Sequence, residues 1–175
     1  GVVESLANNR FRYTSDEAHS GEVGLVFSDG QGQSFTRRYN IIKLTGSLLL
    51  SSEGSERATA YNDSNKIVHF ADKLHVTWLD DIQGQSYVKV RTFDKNNRSL
   101  GETYTVDEAR DNHGGAAMIA DKDGYLHIVY YPHSQDPFRY RRSVRPNDAS
   151  EWGEIEYFGT NGTYPALVML DDGTL

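Results

Sequence analysis

The sequence contains no cysteine. That absence excludes disulfide staples, thiolate chemistry and a cysteine-ligated zinc site. Proline is scarce, four in 175 residues, and all four fall in expected loops or at strand edges. No apolar run approaches the ~20 residues needed to cross a bilayer, so no membrane partner is expected. The leading GVVESLANN shows neither the basic nor the apolar stretch of a signal peptide. Basic residues are outnumbered, 18 Lys and Arg against 25 Asp and Glu, for a formal net charge of −7. Nucleic acid calls for the opposite balance and is not expected as a partner. An anionic substrate stays open, because a local arginine cluster can dominate one cleft. A sustained apolar period of 3.6 residues is also missing.

Tyrosine is in excess, 11 against 7 Phe and 2 Trp, and 37% of the residues are hydrophobic, enough for a real core. The apolar stretches are short and alternating: KLHVTWLDD (73–81), YVKVRTF (87–93), YLHIVYY (125–131) and FRYRRSV (138–144). With turns rich in Gly, Asp and Asn, they read as antiparallel strands. Two segments are copies. Leu74-His75-Val76 and Leu126-His127-Ile128 each lead through a strand and a loop into a basic strand. LVMLDDGTL (167–175) repeats MIADKDGYL (118–126) as a third start. A period near fifty residues with four strands per unit marks a β-propeller blade.

The expected fold is therefore all-β, a propeller of four-stranded antiparallel blades that is incomplete in this chain. Residues 1–64 form an N-terminal β segment with a glycine-rich hairpin. Residues 65–110 form one blade, with strands A to D at 66–71, 74–79, 86–93 and 102–106. Residues 111–161 form the next, with strands at 116–121, 125–131, 138–144 and 154–158. Residues 162–175 begin a further blade and stop at its second strand. The remaining blades are expected on another chain or segment. Within the first part, SDGQGQSF (28–35) resembles, in degenerate form, the Asp-box turn of sialidase-type propellers; an ordinary glycine hairpin reads equally well.

Consecutive strands of a meander reverse direction, so the loop leading into strand A and the loop joining B to C share one side of the sheet. His113 lies in the first of these and His133 in the second. One strand, one tight turn and one returning strand should bring the two imidazoles together. His75 and His127 occupy equivalent B-strand positions and are expected to be packed structural residues. His19 and His69 receive no role. In RYRRS (139–143), Arg139 and Arg141 share one face and Tyr140 and Arg142 the other. The arginines read either as a solvated face or as a guanidinium clamp for carboxylate or sulfate.

DNHGG (111–115), DKDGYLHIVYYPH (121–133) and FRYRRSVRPNDASEW (138–152) together resemble the BNR-repeat family that includes propeller-fold ulvan lyases. The resemblance covers roughly 65–175. It implies β-elimination on a uronate-containing, sulfated, ulvan-like polysaccharide. His113 and His133 map onto the family's catalytic histidine pair, with Asn112, Arg139, Arg141 and Tyr164 as substrate contacts. The family's tyrosine and arginine from later blades would lie beyond Leu175. The resemblance further implies a secreted or periplasmic protein, and chemistry without a cofactor beside a structural metal whose ligands are unknown. Two alternatives stand beside this one. The first is a non-catalytic carbohydrate-binding propeller. The second is a sialidase-like hydrolase, which needs paired carboxylates or a tyrosine nucleophile with an acid; Asp80, Asp81 and Asp136 lie on the right side for it.

Overall fold

The computed structural model describes residues 2–6, 10–14, 21–28, 31, 34–41, 48–133 and 136–175. The chain divides into two compact units, Gly1–Leu48 and Leu49–Leu175. The first holds two antiparallel hairpins, β1 (Val2–Leu6) with β2 (Arg10–Thr14), and β3 (Gly21–Ser28) with β4 (Ser34–Ile41). The second hairpin is the expected glycine-rich one, with Ser28 opposite Ser34 at its tip. Gly30 and Gly32 of the Asp-box-like turn lie outside the described residues, as does His19. The β1–β2 pair has no counterpart in the sequence reading, because VVESL and RFRYT are too short to show a period.

The second unit is all-β, with no helix among the described residues. Strands β5 (Ile67–Phe70), β6 (Lys73–Ile82), β7 (Gln85–Asp94) and β8 (Ser99–Glu108) form one four-stranded antiparallel meander. Strands β9 (Ala117–Ala120), β10 (Leu126–Tyr130), β11 (Phe138–Arg142) and β12 (Glu156–Phe158) form another. These are the eight strands expected from the repeat. Alternation drives them: in β7, Val88 and Val90 are buried, while Tyr87, Lys89 and Arg91 between them stay partly exposed. The repeats differ at one informative place. β6 and β7 are joined by Gln83 and Gly84 alone, both at positive φ (55° and 82°), the geometry of a two-residue hairpin. The matching strands β10 and β11 are joined by the longer segment 131–137, which carries His133.

One apolar core joins the two sheets. Leu79, Val88, Val90 and Val106 of the first meet Met118, Leu126, Ile128 and Tyr130 of the second. Each such side chain contributes about 1.5–3 kcal/mol by leaving water. Polar side chains stitch the same seam. The Lys66 amine donates to the Ala116 carbonyl at 2.6 Å, and the Met118 amide donates to the Asn65 carbonyl at 2.9 Å. Burial pushes the Lys66 amine down to about 8, against a weaker raising pull from Asp63. His75 is wholly buried, with its ring nitrogens 2.9 Å from Thr92 Oγ1 and 2.9 Å from Asn147 Oδ1. His127 likewise contacts Tyr140 Oη at 2.7 Å and Asp121 Oδ2 at 3.1 Å.

Two boundaries differ from the expectation. Residues 49–64 belong with the second unit, because their backbone pairs with β6: the Ser55 amide donates to Leu79 O, and the Leu79 amide donates to Ala58 O. Residues 162–175 form no strand among the described residues, yet the turn of the repeat is reproduced. Leu170 N donates to Thr174 O and Gly173 N to Leu170 O, as Asp121 N does to Tyr125 O and Gly124 N to Asp121 O. A turn closes on its own local bonds, whereas a strand needs a ladder along its whole length.

Gly124 and Gly173 hold nearly the same φ, 88° and 87°, but a Cβ on Gly124 would lie 2.6 Å from the Phe70 ring, while one on Gly173 meets nothing within 4 Å. Gly173→Ala should therefore cost about 1–2 kcal/mol of backbone strain. Gly124→Ala should cost a further ~1–3 kcal/mol from overpacking. Urea denaturation of both variants checks this; equal losses would mean that Phe70 moves aside freely.

Candidate active site

The register of β9 and β10, with Val129 opposite Ala117, brings the residues before β9 and after β10 out at one end of the sheet. There 111–114 forms a turn, with Gly114 N donating to Asp111 O at 3.1 Å. The facing chain crosses in contact: Tyr131 N donates to Gly114 O at 3.3 Å, and a Cβ on Gly114 would sit 2.9 Å from the Tyr131 carbonyl. Only glycine admits so close an approach of two backbones. Tyr131 holds φ at 91°, and the Arg139 guanidinium lies 3.5 Å from its ring centroid. Arg139 is anchored in turn on Asp107 at 2.8 Å, which also accepts the Tyr130 hydroxyl at 2.8 Å.

The crossing delivers His113 and His133 face to face, ring centroids 4.4 Å apart and planes 28° from parallel. One carboxylate spans them. Asp111 Oδ2 lies 2.5 Å from His133 Nδ1, and Oδ1 lies 3.3 Å from His113 Nδ1 and accepts the His113 amide at 2.7 Å. Partial burial works against the Asp111 charge, but the His113 amide and then the His133 ring outweigh it and hold the carboxyl below its ordinary 3.8. An ionised carboxylate can only accept, so each Nδ1 facing it carries the proton. Each Nε2 is then left for chemistry, the orienting role a carboxylate plays for histidine in acid–base sites. Tyr61 and Tyr164 complete the surroundings. Their rings stack at 3.8 Å, and each lies 6.3 Å from the His113 ring.

Among the described residues, Asp111, His113 and His133 are also the side chains that could hold a metal ion, with one ligand atom from each lying within 4.8 Å of the others. Two imidazoles and a carboxylate suit a borderline transition metal. The sequence had left the ligands of a structural metal unassigned.

Of the residues singled out from sequence, His113, His133 and Tyr164 meet here, and Asn112 sits in the same turn between Asp111 and His113. Arg139 and Arg141 are not arranged as an open clamp. Arg139 is paired with Asp107 as described. Arg141 donates to the carbonyls of Gly153 (2.7 Å), Trp152 (2.9 Å) and Val106, tying β11 to β8. Alternation put both on one face correctly, but that face meets the first sheet. The acids weighed for a hydrolase are scattered: Asp80 is buried under the Trp78 indole N–H, Asp81 caps the Gly84 amide, and Asp136 lies 3.5 Å from Arg110. Sequence reasoning missed Asp111 and Tyr61. The Asp-x-His spacing of 111–113 was a usable signal for the first; Tyr61 comes from a distant loop and gave none.

The depressed Asp111 value has a sign. A folded value below the unfolded one gives stability that is present above the ordinary carboxylate range and lost as pH falls through the folded value. Carbon-13 NMR should find the Asp111 midpoint below 3.8, and His133→Ala should raise it. A midpoint at or above the ordinary value would show that the histidines do not hold the charge.

Comparison with known proteins bears on the same stretch. Residues 59–175 match the BNR repeat-containing family. Ulvan Lyase-PL25 of Pseudoalteromonas sp. (strain PLSV) is 30% identical over 37% of this chain and 16% of its own length. The ulvan lyase of Alteromonas sp. (strain LOR) is 29% identical with the same coverage, 37% and 16%. The chain thus spans about a sixth of the curated relatives it matches. A solved structure of a polysaccharide lyase, the PL25 ulvan lyase, superposes with a TM-score of 0.58 at 21% identity, over 69% of this chain and 32% of that one. At that identity the likeness is one of fold. Since the family match takes in both four-stranded sheets and the histidine pair, the chain belongs to the BNR repeat-containing family.

Proposed function

We propose that the chain carries the histidine part of the site of a polysaccharide lyase, which cleaves a uronate-containing, sulfated, ulvan-like polymer by β-elimination. In this reading the two four-stranded sheets are neighbouring blades of a β-propeller, and a polymer substrate makes the protein secreted or periplasmic. The observation that carries the reading is the stacked pair of imidazoles on one ionised carboxylate, at the end of the sheet where two loops meet. The relatives named above are ulvan lyases, which supports the same class.

The chemistry follows from the protonation argument. The proton to be removed sits on C5, alpha to a carboxylate, and is only weakly acidic. A neutral imidazole with Nδ1–H held by Asp111 offers an Nε2 lone pair to take it. The C5–H electron pair becomes the C4–C5 double bond, and the C4–O bond breaks with its pair on oxygen. That oxygen then takes a proton from an acid. One of His113 and His133 serves as base or acid, and the other assists or orients the uronate. A cation must neutralise the uronate carboxylate as charge builds on it. The family resemblance implies an arginine for that cation and a tyrosine for proton transfer. These proton transfers need no cofactor. A metal ion seated on Asp111, His113 and His133 would occupy the groups that orient and perform them.

The test is ultraviolet absorbance of the unsaturated uronate, measured on ulvan with the full-length protein. His113→Ala and His133→Ala should each lower the rate by about 10²–10⁴-fold, with binding largely kept. Full activity in either variant would remove that histidine from the reaction. Binding of the polymer with no unsaturated product from the unaltered protein would favour a carbohydrate-binding role instead.

A further inference from the structure

Tyr61 and Tyr164 come from widely separated loops, and both hold backbone that side-chain-bearing residues rarely adopt, φ 69° and 55°. Close by, two hydrogen bonds fasten the loops together: Ser64 Oγ donates to Pro165 O at 2.6 Å in a buried position, and Asn65 Nδ2 donates to Leu167 O at 3.2 Å. The fastening holds the two phenol rings stacked at 3.8 Å beside His113. Core packing does not account for the stack, because Tyr61 and Tyr164 are only half-buried and their neighbour Arg57 is exposed. The Arg57 guanidinium reaches the Tyr61 hydroxyl at 2.5 Å and sits 6.0 Å from its ring centroid. Among the described residues no carboxylate lies within ion-pair distance of it. Several other arginines of this unit are already engaged: Arg91 and Arg141 with backbone carbonyls, Arg139 with Asp107, and Arg145 in a surface ion pair with Asp148 and Glu151. Arg57 keeps most of its five N–H donors for something outside the protein.

We propose that Arg57, Tyr61 and Tyr164 form a second sugar-binding position beside the histidine pair, where the stacked phenols carry a pyranose ring and Arg57 takes an oxyanion, carboxylate or sulfate ester, on that sugar. Aromatic faces suit the apolar side of a sugar ring, and a free guanidinium fork suits the planar or tetrahedral oxyanion at its edge. In a chain of net charge −7, a local cation is what allows an acidic polymer to approach. The position is built by the segment before β5 and the segment after β12, outside the β9–β11 hairpins that hold the histidines. It rests on the acidic-polysaccharide reading above, but it requires that the polymer bind, not that it be cleaved.

Binding isothermally titrated with an ulvan tetrasaccharide tests it, using full-length protein carrying His113→Ala to prevent turnover. Adding Arg57→Ala should weaken binding about tenfold, the loss of one charge-assisted contact, and reduce its salt dependence. Arg57→Lys should recover part of it. Tyr61→Ala should weaken binding similarly, while Tyr61→Phe, which keeps the ring and the fold, should retain most of it. On the desulfated tetrasaccharide, a vanished Arg57 penalty identifies the sulfate as the partner, and a persisting one identifies the carboxylate. Unchanged affinity in Arg57→Ala and Tyr61→Ala, or no binding by the parent protein, would overturn the proposal. Absence of an unsaturated product from unaltered protein would instead defeat the elimination reading and leave this one standing.

Discussion

One carboxylate facing two imidazoles organises the site. Asp111 is ionised, accepts from both rings, and thereby sets which nitrogen of each carries a proton. Without it the two rings would be neighbours stacked at 4.4 Å with nothing to fix which nitrogen of each carries the proton. The carboxylate can play this part because its own turn folds it back, with the His113 amide donating to the oxygen that faces the His113 ring. The turn in turn fits only because Gly114 has no side chain to keep the facing loop away.

The rest of the unit gives that arrangement a fixed base. β10 is buried along its whole length, its apolar face in the core shared with the first sheet and its polar face closed by His127, Asp121 and Tyr140. Arg139 and Arg141 support it from the side. One holds Tyr131 and Asp107 together; the other ties β11 to β8 through backbone carbonyls. Both arginines thus support the strands on either side of the loop that presents His133. Slippage of β9 against β10 would separate the imidazoles, so the register of that strand pair and the geometry at the site are one problem.

Much of this was legible in the sequence, for local reasons. Alternation located the eight strands of the two sheets, and antiparallel reversal predicted that His113 and His133 would meet. Equivalent placement in the repeat identified His75 and His127 as packed residues. What was not legible depends on contacts between segments. Alternation assigns Arg141 to a face but cannot say that the face meets another sheet. Asp111 stood two residues from His113, but its reach to His133 depends on a loop crossing. Tyr61 and Arg57 lie in a stretch without strand periodicity, grouped with the N-terminal part, and the pairing of residues 53–58 with β6, together with the Ser64 and Asn65 bonds to Pro165 and Leu167, brings that stretch to the site. The tail at 162–175 repeats the apolar pattern and the turn of a strand pair, but pattern alone does not supply ladder hydrogen bonds.

The most direct measurement is a crystal structure of the full-length protein, inactivated at His113, with an acidic oligosaccharide bound. The account predicts a uronate against the His133 Nε2 edge, with Asp111 still on Nδ1 behind it and the chain of sugars running toward the Tyr61–Tyr164 stack. A saccharide bound at the opposite end of the sheet, near the Gly124 and Gly173 turns, or a His133 ring turned away from Asp111 in the complex, would contradict it.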